Sequence, residues 1–134
     1  MPRLSVWFIR ASLLYLLLGF FFGGLILAQK GIPFYAPVWI LFPLHVEFLL
    51  VGWLAQLALG AAFWILPRFS GAAPRGPATL VWISFALLNA GILLAALQIW
   101  LPAALLIGRI AEALGGILFV VGSWRRVKPS GAFK

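Results

Sequence analysis

Four long apolar runs, separated by short polar breaks rich in proline and glycine, organise the chain. A helix that crosses a bilayer needs roughly 20 mostly apolar residues, and four stretches supply them. The first covers 6–28 and stops at Gln29-Lys30-Gly31-Ile32-Pro33. The second has its core at 44–66 and ends at Pro67-Arg68. Its start has two readings, because 38–42 is also apolar: the helix begins at residue 44, or after Pro37 with a kink at Pro43. The third covers 78–99. The fourth covers 102–124 and opens on Pro102, a favoured first-turn residue. Only Trp100-Leu101 separates the last two, which predicts an antiparallel hairpin.

Composition fixes the solvent. The chain is 65% hydrophobic and 9% charged, against roughly 25% charged residues in soluble domains. A water-soluble domain of this length has no way to hide so much apolar surface, so the surrounding medium is lipid. The first run resembles a secretory signal only loosely, being longer than a typical apolar region of roughly 7–15 residues. It reads as a retained helix.

Charge then sets the orientation. The net charge of +8 comes from ten Lys and Arg against two acids, Glu47 and Glu112. The bases cluster at the ends of apolar runs, which argues for membrane orientation and against nucleic-acid binding. Arg3, Arg10, Arg68, Arg75, Arg125, Arg126, Lys128 and Lys134 fall on one side, Lys30 on the other. The expected fold class is therefore an all-α integral membrane protein, a single domain of four helices in an up-down antiparallel bundle. Both termini face the cytoplasm of a prokaryotic inner membrane, and 125–134 is a basic cytoplasmic tail. Trp7, Tyr35, Trp39, Trp100 and Trp124 lie where interfacial aromatic belts are expected. The absence of cysteine excludes disulfides, thiolate metal sites and iron–sulfur clusters.

Small residues recur at helical spacing: Gly19 and Gly23, Gly52 and Gly60, Gly91 and Ala95, and the pair Gly115-Gly116. Close helix packing is the plain explanation, since small residues let backbones approach. Polar residues inside the spans are costly and invite a functional reading. At 100° per residue, Gly52 and Gln56 lie about 20° to either side of the single histidine, His45, and Gly60 about 60° away. This face has two readings. It is either a haem groove with His45 as axial ligand, or a packing face with His45 in an interhelical hydrogen bond. Glu47 lies roughly 160° round the helix from His45 and needs a partner if the helix starts early. Arg109 and Glu112, three apart, are placed to form an intramembrane ion pair facing the bundle interior. Ser84, Gln98 and Asn89 are expected to make interhelical hydrogen bonds.

At the second span the sequence also resembles a known family. Leu44-His45-Val46-Glu47-Phe48-Leu49-Leu50-Val51-Gly52-Trp53, with Gly60-Ala61-Ala62-Phe63-Trp64-Ile65-Leu66-Pro67-Arg68-Phe69, is similar to the second helix of haem–copper oxidase subunit I. It looks most like nitric oxide reductases, C-family cytochrome oxidases and the small four-helix relatives of both. The terminal Trp124-Arg125-Arg126-Val127 also resembles those small proteins. The resemblance implies that His45 is an axial ligand of a haem b, toward the outer side of the membrane. One histidine cannot build a binuclear catalytic centre, so it implies a non-catalytic accessory or electron-transfer component rather than an enzyme. Its partners would be a second copy of the chain, each donating His45, or a respiratory oxidase or reductase. Two other functions stay open: a cofactor-free structural or assembly subunit, and a small carrier or channel using the Arg109/Glu112 pair.

Overall fold

The computed structural model describes residues 1–67, 75 and 78–127. Four helices in it are long and apolar enough to cross a membrane: α1 (Arg3–Gly31), α2 (Ala36–Ile65), α3 (Ala78–Ile99) and α4 (Ala103–Arg126). The orientation arguments from Arg68, Lys128 and Lys134 fall outside the described residues.

α1 outruns its expected bounds by one turn at each end, because Arg3, Gln29 and Lys30 are good helix formers whose long stems also lie along apolar surface. It ends where Ile32 turns extended, at φ −130°. The Gln29 side chain then organises the turn, its Oε1 accepting the N–H of Phe34 at 2.9 Å and of Tyr35 at 2.6 Å. α2 takes the earlier of its two starts. A 3-10 turn over Ala36–Leu41 passes directly into α-helix at Phe42–Glu47. Pro43 falls at that changeover, inside the first α-turn, where its missing N–H costs least. The next stretch, Phe48–Ala55, is a π-helix, and α-helix resumes over Gln56–Ile65. Hydrogen bonds that span one more residue per turn rotate everything beyond them.

Within each pair of consecutive helices, glycines set the distance. On the α1–α2 side, a Cβ at Gly19 would lie 2.6 Å from Leu49, one at Gly52 2.6 Å from Tyr15, and one at Gly60 2.7 Å from Phe8. α3 and α4 approach more closely still, backbone to backbone, through Gly91 and Gly108. Ser84 Oγ donates to the Gly115 carbonyl at 2.7 Å, and Gly122 packs on Val81. The order Gly91–Gly108, Ser84–Gly115, Val81–Gly122 makes the two helices antiparallel. Of the pair Gly115-Gly116, only Gly115 lies in this seam, while a Cβ on Gly116 meets nothing within 4 Å.

The two helix pairs are joined differently. Phe8, fully buried, sets its ring edge-on against Phe85 of α3 and Phe119 of α4. Polar clamps do the rest. Midway along, Gln56 and Asn89 bond reciprocally at 3.2 and 3.3 Å, and the Tyr15 hydroxyl donates to Asn89 Oδ1 at 3.2 Å. At the end near the termini, Arg126 is 1% exposed. Its guanidinium donates to the carbonyls of Phe63, Leu66 and Pro67 at 2.8, 2.7 and 3.0 Å and stacks over the Phe63 ring. Arg126 therefore does not belong to a solvated tail. It satisfies the Phe63 carbonyl in the last turn of α2, which lacks a partner within its own helix, and those of Leu66 and Pro67 just beyond the helix end.

Candidate functional site

The polar groups near the opposite end form two sites on opposite sides of α2. On one side the His45 ring rests on bare α1 backbone. A Cβ on Gly23 would stand 2.5 Å from His45 Cε1, so the imidazole fits only because Gly23 has no side chain. His45 Nδ1 lies 2.8 Å from the Gly19 carbonyl oxygen. A carbonyl only accepts, so Nδ1 carries a hydrogen and donates it to Gly19, leaving Nε2 outside this bond. The ring is half-buried and lines a cleft of about 570 Å³, whose walls are Gly23, Gly24, Leu27, Trp39 and Phe42 with Lys30 among them. Gly24 is an exposed part of the cleft wall, and a Cβ there meets nothing within 4 Å.

The other residues expected to share a groove with His45 do not line this cleft. Gly52 and Gly60 do lie on the α1 side of α2, as the helical wheel suggests, but Tyr15 and Phe8 fill the space beside them. Gln56 is fully buried and engaged by Asn89 of α3. The π-helical stretch breaks the 100° count on which the common face depended. The opening next to His45 comes instead from glycines of α1, which no reading of α2 alone could find.

On the other side of α2, the expected Arg109–Glu112 pair forms at 2.8 Å, and Glu47 joins it. Glu47 Oε2 meets Arg109 Nη2 at 2.5 Å, across from α2 to α4. Both carboxylates therefore grip the two terminal nitrogens of one guanidinium. Glu47 is 3% exposed and Glu112 10%, while Arg109 is 47% exposed, so the acids and not the base occupy the interior. The remaining oxygen of each acid, Oε1, is buried without a hydrogen-bond partner among the described residues.

Among the described residues no three His, Cys, Asp or Glu side chains come together as a metal cage. Searches of protein-family models, curated proteins and solved structures return no match to this chain.

Proposed function

We propose that this chain is a non-catalytic respiratory-membrane protein that binds a haem b through His45, as an accessory or electron-transfer component. In this reading both termini face the cytoplasm, and the His45 cleft opens near the outer side of an inner membrane. The hydrogen bond from His45 Nδ1 to the Gly19 carbonyl carries the proposal. A histidine that ligates iron typically donates its other N–H to a carbonyl or carboxylate, which fixes the tautomer and the ring orientation. The cleft suits the group in two further ways. Its volume of about 570 Å³ lies within the roughly 300–1,000 Å³ of cofactor pockets. Its walls are apolar, with the Lys30 ammonium available to a carboxylate-bearing edge.

Bound there, the haem would supply one-electron chemistry. The chain's own residues do the remaining work. Gly19 and Gly23 would seat the imidazole, Gly24 would leave room beside it, and Trp39 and Phe42 would give the cleft apolar walls. Because each copy offers one histidine, a homodimer sharing the group between two clefts is the simplest route to a six-coordinate iron.

Gly24 provides the test of the cleft apart from the ligand. Gly24→Leu adds bulk to the cleft wall at a position where a Cβ meets nothing within 4 Å, so the protein is expected to fold normally yet carry several-fold less haem per chain. Gly24→Ala retains wild-type loading. Unchanged haem content in Gly24→Leu would place any haem elsewhere. The same His45–Gly19 bond also favours a second reading, an assembly subunit in which His45 only joins α1 to α2. That reading predicts a colourless protein and a modest stability loss in His45→Ala.

A further inference from the structure

The outward face of α1 near its start carries charge that nothing else in the chain neutralises. At 100° per residue, Arg3, Trp7, Arg10, Leu14 and Leu17 fall within about 80° of one another, and all five are exposed. The buried residues of this stretch lie on the other side, where Phe8 meets α3 and Tyr15 meets α2. Among the described residues neither Arg3 nor Arg10 has a hydrogen-bond or ion-pair partner. The chain has only two acids, and Arg109 engages both near the opposite end of the helices. An anion for the two arginines must come from outside.

Depth narrows what that anion is. α1 has 29 residues, roughly 44 Å of helix against a hydrocarbon core of roughly 30 Å. Centred in a bilayer it projects about 7 Å at each end. Arg3 then stands among the headgroups, and the Arg10 backbone lies a few ångströms inside the hydrocarbon. Side chains of a helix lean toward its N-terminus, so the Arg10 guanidinium rises back to headgroup level. Trp7 sits between the two arginines at a depth that suits an indole. Orienting the chain requires positive charge at this end. It does not require two bare guanidinium groups on one helix face, directly above an apolar stripe.

We propose that this face of α1 binds an anionic phospholipid, its phosphate held between Arg3 and Arg10 and an acyl chain lying along Leu14 and Leu17. Guanidinium groups grip phosphate oxygens through paired N–H donors. A zwitterionic lipid brings its own cation toward Arg3, so the site favours a headgroup with net negative charge. The inference rests on the chain spanning a bilayer and is independent of haem at His45.

Native mass spectrometry of the full chain, released from detergent micelles holding equal amounts of phosphatidylglycerol and phosphatidylcholine, reads this selectivity. The wild type is expected to retain one phosphatidylglycerol in strong preference to phosphatidylcholine. Arg10→Gln lowers that retention roughly five-fold, the effect of one arginine at a membrane surface, and the double variant Arg3→Gln/Arg10→Gln abolishes the preference. Arg125→Gln removes the same charge from an exposed position on α4 and leaves the retained lipid unchanged. Glutamine is a good helix former, so these exposed positions tolerate it. Equal retention of the two lipids by the wild type would overturn the proposal. Equal losses in Arg10→Gln and Arg125→Gln would overturn it too, by showing attraction to overall charge and not to this face. A wild type released as a lipid-free dimer, and as a monomer after Arg10→Gln, would assign the face to a second copy of the chain instead.

Discussion

Arg126→Met lowers the stability of the folded protein by about 2–4 kcal/mol, measured by equilibrium unfolding in mixed SDS–lipid micelles. The substitution leaves the carbonyls of Phe63, Leu66 and Pro67 without their donor at the end of α2. Each buried acceptor stranded in this way costs about 1–3 kcal/mol, and the outermost, on Pro67, recovers part of that from interfacial water. Methionine preserves most of the apolar stem that packs on Phe63, so the loss reports the guanidinium and not the volume. Arg126→Lys recovers only a fraction, because an ammonium lacks the planar fork that reaches three carbonyls together. A stability unchanged within about 0.5 kcal/mol in Arg126→Met would mean that the α2 carbonyls are hydrated and that the α4 end is free.

Gly108→Val costs about 3 kcal/mol in the same assay, whereas Gly116→Val costs under about 0.5 kcal/mol. Both are mid-helix glycines of α4, and they differ only in what lies opposite. A Cβ on Gly108 would stand 2.7 Å from both the Ala95 nitrogen and the Gly91 oxygen. Backbone cannot rotate aside as a side chain can, so α3 and α4 must separate, which weakens the packing along their whole seam. Separation also lengthens the Ser84–Gly115 hydrogen bond, one turn-pair further along. At Gly116 a side chain meets open space and gains helix propensity over glycine. Equal costs at the two positions would contradict the close α3–α4 seam.

The helices themselves were legible in the sequence because an apolar run of roughly 20 residues, long enough to cross a membrane, favours a backbone that satisfies its own hydrogen bonds. Apolar length therefore located α1, α3 and α4 to within a turn, and α2 only on the earlier of its two possible starts. Packing inside each helix pair was legible in part. Glycine spacing marked Gly19, Gly23 and Gly91 correctly, but it could not separate Gly115 from Gly116, since adjacent residues point about 100° apart and only the partner helix decides between them.

The joints between the pairs were legible only in part: Asn89 makes the interhelical hydrogen bond expected of it, to Gln56, but the other two joints were missed. Glu47 needed a partner, and that partner sits on α4, 62 positions away, where no local spacing could reveal it. Arg126 read as one more basic residue in a charged tail, because its three carbonyl partners are backbone atoms, invisible to any pattern of side chains. The π-helical turn over Phe48–Ala55 altered the face that His45, Gly52, Gln56 and Gly60 were expected to share. His45 itself was found as the single histidine of the chain. The cleft beside it was not, since Gly23 and Gly24 belong to a different helix.

An absorption spectrum tests the account most directly: detergent-purified protein from haem-replete cells, oxidised and dithionite-reduced, with His45→Ala alongside. Haem ligation by His45 predicts a Soret band with sharp α and β bands on reduction in the wild type, and their loss from a His45→Ala variant that remains folded. A featureless visible spectrum in the wild type, or the same spectrum in both proteins, would contradict haem ligation by His45.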